Sequence, residues 1–364
     1  METTPLNTTR HDAHIPKSML FQWHVTDRCN LACSHCYQDC PPAPDPTWEE
    51  LMLILERFKS AIAGWRAAGT APSFRVQVTV TGGEPFLRDD FPLLLERLSE
   101  ARPLFSFAVL SNGTLLTPAA VRSLERSRPA FVQVSIDGDR QSHDRMRGEA
   151  SYDRAVAGVK LLVGAGIPVY LSFTAQRCNY RDFPSVARLG RRLGVARVWS
   201  DRMVPCGREH RAEESLMTPD QTREFVGLME RERRRGWFGS SPVVLHRSLQ
   251  FTAGGISPYR CSAGDTLVTV LPNGDVCPCR RLPKVEGNML RQSLQDIYGN
   301  SSFFRELRDR NRVNTGCESC FYARTCGGGS RCLASAVYGD PFRADPGCWL
   351  AAGAATTTPI QEVL

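Results

Sequence analysis

The chain has 364 residues, of which 42% are hydrophobic and 23% charged, with a net charge of +7. That length allows two to three domains, or one large α/β barrel with an appendage. No run of about eighteen apolar residues occurs and the N-terminus, METTPLNTTRHDAH, lacks the apolar stretch of a signal peptide, so the expectation is a soluble, cytoplasmic protein with no membrane partner.

Only four of the 45 basic residues are lysines (Lys17, Lys59, Lys160 and Lys284). Arginines this dispersed coat solvated helix faces, and no nucleic-acid partner is expected even from the stretch at 231–235. Fourteen cysteines without an export signal read as metal ligands rather than as a disulfide framework, because cytosolic thiols are kept reduced.

Residues 1–18 read as a polar arm. Residues 21–26, FQWHVT, alternate bulky and polar side chains as a strand does, and run straight into TDRCNLACSHCYQDC. Thr47 with Glu50 three residues on opens a helix with a capping box. The same strand, loop and helix order recurs. Strands fall at 74–80, 105–110, 130–136, 168–174 and 196–204, and helices begin near Phe91 and Thr117 and span 151–164, 182–193 and 218–235. Six such units imply parallel strands with right-handed crossovers, closing part of a (β/α) barrel over residues 19–235. A looser bridge (236–260) follows, then a small cysteine-rich domain (261–350) with a hairpin at 266–279 and an amphipathic segment at 291–310, and a tail (351–364).

Cys29, Cys33 and Cys36 have the spacing C-x3-C-x2-C. Structural zinc takes four ligands in two separated pairs, whereas three local thiols suit a [4Fe-4S] cluster with one iron left open. The alternative is a chance thiol cluster or a redox-sensing loop. Thr81-Gly82-Gly83-Glu84-Pro85 closes the second strand, with two glycines to let backbone approach a ligand and a carboxylate to accept from an ammonium group.

With Tyr37 beside the third cysteine, these two motifs resemble the radical SAM superfamily. That resemblance implies a cluster on Cys29, Cys33 and Cys36 that chelates S-adenosylmethionine and cleaves it to a 5′-deoxyadenosyl radical. Gly82, Gly83 and Glu84 would hold the methionyl amino group. Asn112, Ser135 and Arg147, at or after the ends of the third and fourth strands, would complete the pocket, with Arg145 a weaker choice. Cys40 is not expected as a fourth ligand, which would occupy the iron that the substrate needs.

The second set runs Cys261, Cys277, Cys279, Cys317, Cys320, Cys326, Cys332 and Cys348, and eight thiolates fill two clusters. This part resembles the SPASM extension of radical SAM enzymes, except that Ser330 stands where the family places a cysteine and Cys332 arrives two residues late. The resemblance implies an outer auxiliary cluster on Cys317, Cys320, Cys326 and Cys348, and an inner one on Cys261, Cys279 and Cys332. Cys277 would complete the inner set, or leave it with an open iron. Paired zinc sites are the alternative for this half.

Cys178 and Cys206 follow the fifth and sixth strands, as hydrogen-atom donors to a substrate radical or as small buried apolar residues. The resemblance implies a maturase of ribosomally made precursor peptides that forms an oxidative thioether or carbon-carbon cross-link. Its partners would be a flavodoxin or ferredoxin electron donor and a separate leader-binding protein. Epimerisation, sulfatase-type oxidation and tetrapyrrole chemistry are the competing enzyme readings, the last supported by the ending YGDPFRADPGC. An electron carrier is the non-enzyme reading.

Overall fold

The structure is a computed structural model that describes residues 14–38, 44–69, 74–207, 213–235, 241–253 and 258–352. Cys40, most of the N-terminal arm, parts of the bridge and most of the tail lie outside the described residues.

The chain runs β1 (Ser18–His24), α1 (Trp48–Ala67), β2 (Arg75–Thr81), α2 (Phe91–Glu100), β3 (Ser106–Ser111), α3 (Pro118–Ser127), β4 (Val132–Ser135), α4 (Arg140–Arg147), α5 (Ser151–Gly164), β5 (Val169–Ala175), α6 (Phe183–Leu193), β6 (Arg197–Arg202) and α7 (Pro219–Arg234). The C-terminal part adds β7 (Leu267–Val270), β8 (Asp275–Cys277), β9 (Gly287–Asn288), α8 (Leu294–Asn300), α9 (Ser302–Arg308), α10 (Ala323–Cys326), α11 (Arg331–Tyr338) and α12 (Trp349–Ala352). The capping box of Thr47 and Glu50 starts α1, and Thr117 with Pro118 starts α3, as their sequences predict. The short helix α4 is an addition to the predicted elements, and the amphipathic stretch at 291–310 splits in two at Ser301, whose hydroxyl accepts from Phe304 N–H at 2.9 Å.

Among the described residues nine strands form one sheet in the order β6-β5-β4-β3-β2-β1-β7-β8-β9. The six strands β1 to β6 are all parallel, and the sheet is not closed. The C-terminal hairpin is not a detached unit: β7 pairs parallel with β1, from Leu20 with Leu267 to Trp23 with Val270. On the other side, Val198 of β6 exchanges backbone hydrogen bonds with Pro242 and Val244, so the bridge caps part of that edge.

Period-2 alternation sorts the strand side chains. Phe21 and Trp23 on β1 are fully buried against α1, where Phe58 packs 4.3 Å from the Phe21 ring, and each such side chain contributes roughly 1.5–3 kcal/mol. The alternate positions, among them Gln22, Gln77, Thr79, Gln133 and Trp199, face an inner cavity. The barrel therefore has an apolar shell and a mixed lumen, where these polar groups share the wall with Leu20, Leu110, Phe131 and Leu267.

Candidate active site

The cysteine loop leaves β1 and is fastened to the turn after β2. Gly83 N–H donates to Thr26 O and Glu84 N–H to Arg28 O, both at 2.8 Å. A Cβ on Gly82 would fall 2.2 Å from Thr26 O and one on Gly83 2.1 Å from Arg28 O. The two glycines thus serve the approach of one backbone to another. Ser34 N–H donates to Met146 O at 2.9 Å, docking the far side of the loop on α4.

Each cysteine of the loop has a polar neighbour. Asn112 Nδ2 lies 3.8 Å from Cys29 Sγ, Arg147 Nη1 3.9 Å from Cys33 Sγ, and Gln38 Oε1 3.9 Å from Cys36 Sγ. Burial, with Glu84 and the other two cysteines adding to it, pushes the Cys29 thiol up to about 11. A thiol of this kind gives up its proton on taking a metal. Arg147 also pairs with Asp137 and sits 3.3 Å from His35 Nε2, and His35 lies 3.2 Å from the same carboxylate.

The three cysteines, Gly82, Gly83, Asn112, Ser135, Arg147 and Tyr37 line a cavity of about 240 Å³. Glu84 does not line it. Its carboxylate is fully buried beneath, accepting from Ser111 Oγ (2.9 Å), Asn112 N–H (2.8 Å) and Phe86 N–H (3.3 Å), with its pKa raised by burial to about 7. There it ties the ends of β2 and β3 together.

A second cavity of about 210 Å³ occupies the lumen below, and Tyr37, Gln133, Trp199, Asp201 and Arg281 line both. Cys261, Cys279 and Cys332 share its wall with Ser330, whose hydroxyl is 3.2 Å from Cys332 Sγ. Cys277 is fully buried on β8 and lines neither cavity. Its charged surroundings are Arg280, Asp275, Cys279 and Glu286, and burial pushes its thiol up to about 12.

Cys317, Cys320, Cys326 and Cys348 form a separate group, linked electrostatically through Cys317 to Cys320 and Cys348, and through Cys326 to Cys348. Asp345 organises it, accepting from both Arg202 terminal nitrogens, Ser248 Oγ, Ser330 N–H and Gly347 N–H. Cys178 is exposed and 3.9 Å from Gln176 Oε1, Cys206 is half-buried, and neither lines either of these two cavities.

The donor chemistry fits iron-sulfur clusters: soft thiols in groups of three, three and four, two of the groups bordering cavities. Sequence reasoning missed His35, Asp137, Asp201, Arg281 and Asp345. His35 stands inside the cysteine motif itself, Asp137 follows β4 by two residues and Asp201 lies next to the last residue of β6, which were the available signals.

The family model of the radical SAM superfamily matches residues 23–189, and that of the SPASM iron-sulfur cluster-binding domain matches residues 261–321. The chain is a radical SAM enzyme with a SPASM extension. This radical SAM enzyme uses [4Fe-4S] clusters and S-adenosylmethionine as cofactors. It is 26% identical over 356 residues to an AdoMet-dependent heme synthase of Methanosarcina barkeri, covering 90% of this chain and 95% of the relative. It is 29% identical over 347 residues to a PqqA peptide cyclase of Gluconobacter oxydans, covering 92% and 91%. The solved structure of anSMEcpe with bound AdoMet and Cp18Cys peptide matches with a TM-score of 0.73 over 92% of this chain and 95% of that one, a likeness of fold at 16% identity. Among the described residues no helix is long and apolar enough to cross a membrane.

Proposed function

We propose that this radical SAM enzyme is a maturase that forms an oxidative cross-link, thioether or carbon-carbon, in a ribosomally made peptide. The observation that carries the reading is the lumen. Gln22, Gln77, Gln133 and Thr79 present amide and hydroxyl groups to it, and among the described residues each glutamine side chain makes one hydrogen bond: Thr269 Oγ1 to Gln22, Gln77 to Thr79 Oγ1, and Trp199 Nε1 to Gln133. Side-chain amides with donors and acceptors match peptide groups, and the apolar wall at Leu20, Leu110 and Phe131 leaves room for the side chains of a peptide. The resemblance to a PqqA peptide cyclase and the peptide bound to anSMEcpe point the same way.

Cys29, Cys33 and Cys36 would hold the first cluster, Cys261, Cys279 and Cys332 the inner auxiliary one, and Cys317, Cys320, Cys326 and Cys348 the outer one. When bound, these groups supply a 5′-deoxyadenosyl radical at one end of the lumen and an electron sink at the other. The protein positions the first cluster through Arg147 and Asn112, which stand at Cys33 and Cys29. Backbone at Gly82 and Gly83, with Ser135, would receive S-adenosylmethionine. Tyr37, on the wall of both cavities, stands between the radical source and the inner cysteines. A flavodoxin or ferredoxin would supply electrons, and a separate protein would bind the leader.

The test is anaerobic reconstitution with S-adenosylmethionine, a reductant and the short peptides encoded beside the gene. A product lighter by two hydrogens, with 5′-deoxyadenosine formed in step, is expected. Conversion of a porphyrin propionate with no change in any peptide would overturn the reading in favour of tetrapyrrole chemistry.

A further inference from the structure

Four arginines, Arg202, Arg247, Arg280 and Arg281, line the two cavities on the side of the inner cysteines, and three have carboxylate partners. Arg281 Nη2 lies 2.5 Å from Asp201 Oδ2, Arg247 lies 3.6 Å from the same carboxylate and 4.4 Å from the Trp199 ring centroid, and Arg202 is held by Asp345. Arg280 is different. It is 8% exposed and lines the lower cavity, its buried Nε has no hydrogen-bond partner, and among the described residues it forms no ion pair. Its ordered contact is the Tyr37 ring, 5.5 Å from the guanidinium carbon.

A buried guanidinium is costly to desolvate unless an anion answers it. The groups around Arg280 do not supply one. His24 is fully buried and neutral, since burial and then Arg280 itself lower its pKa to about 3. Asp201, the carboxylate on the same cavity wall, is already taken by Arg281 and Arg247.

We propose that Arg280 is a substrate-binding residue that takes a carboxylate between the cysteine loop at Tyr37 and the inner cysteine group at Cys279. The planar fork of a guanidinium receives a carboxylate through two parallel hydrogen bonds, and the cavity gives it access. This deepens the peptide reading, on which the identity of the carboxylate rests: an Asp or Glu side chain, or a C-terminus, close to the residue that reacts. A tetrapyrrole propionate offers the same chemistry, so the experiment carries both.

The holoenzyme is titrated calorimetrically, with S-adenosylmethionine present, using the acetylated tripeptide amide Ala-Glu-Ala and its Ala-Gln-Ala counterpart, and using coproporphyrin III and its tetramethyl ester. At least a tenfold preference for the Glu peptide over the Gln peptide is expected, lost in Arg280→Gln and partly kept in Arg280→Lys. Absence of binding by every probe, or equal binding of acid and neutral forms, overturns the proposal. So does an acid preference that survives in Arg280→Gln while the reduction potential of a cluster moves, because the guanidinium then serves the cluster. An acid preference confined to the porphyrins upholds the carboxylate site and removes the peptide reading. Peptide binding with no acid preference does the reverse.

Discussion

Arg147 and Asp137 form an ion pair sealed between the end of β4 and the cysteine loop, with the guanidinium reaching 3.9 Å from Cys33 Sγ. Burial works against the Asp137 charge, yet Arg147 and His35 hold its carboxyl well below the usual carboxylate range. Removing one member leaves the other charged and uncompensated, a loss of roughly 3–5 kcal/mol. Arg147→Met is therefore expected to lower the denaturant midpoint sharply and to deplete iron at the first cysteine loop. The double variant Arg147→Met/Asp137→Asn should recover most of the stability but not the iron. Equal stability of single and double variants would show that the pair is not coupled.

Gly83→Ala tests the seam between the cysteine loop and the turn after β2. The added methyl meets Arg28 O at 2.1 Å, and a backbone atom held by the Glu84 N–H bond has little room to retreat. A loss of roughly 1–3 kcal/mol is expected, with weaker binding of S-adenosylmethionine in equilibrium dialysis. Gly164→Ala is the control. That glycine ends α5 with nothing within 4 Å of its missing Cβ, and the same substitution there should be neutral or stabilising by up to about 1 kcal/mol.

The six strands and their order were legible because each rests on local sequence: alternation within a strand, as at residues 21–26, and caps and breakers between elements. What was hidden depends on pairing across long separations. Nothing local in residues 266–271 says that β7 will lie parallel to β1, a choice made by two distant strands meeting. Glu84 shows the same limit inside a motif: GGEP announces the site, but whether the carboxylate faces the ligand or Ser111 and Asn112 depends on the end of β3. The roles of Gly82 and Gly83 likewise turn on where residues 26–28 run.

Cys277 and Cys332 separate the two ways of completing the inner group. Cys332 shares the cavity wall with Cys261 and Cys279, whereas Cys277, fully buried on β8, lines neither cavity. Cys277→Ala should keep the iron content of the wild type and lose only the packing of one small buried side chain. Cys332→Ala should lose about four irons of the roughly twelve that three cubane clusters hold, with the matching signal gone from the electron paramagnetic resonance spectrum. Loss of iron in Cys277→Ala would make it a ligand after all.

His24 gives the chain an acid-sensitive limb. Burial first, and then Arg280, lower its pKa to about 3, against about 6.5 in an unfolded chain. Below the unfolded value the unfolded state binds a proton that the folded state refuses. The stability from this residue is therefore whole above pH 6.5 and falls as pH drops toward 3, by at most about 1.4 kcal/mol per pH unit. Both ring nitrogens are buried without hydrogen-bond partners, so an apolar residue of similar size loses no bond there. Urea midpoints of wild type and His24→Leu at pH 7.5 and 5.5 should converge or cross, the wild type losing about 1 kcal/mol more between them. Parallel shifts in the two proteins would mean that His24 already carries a proton in the folded state, or finds a partner there.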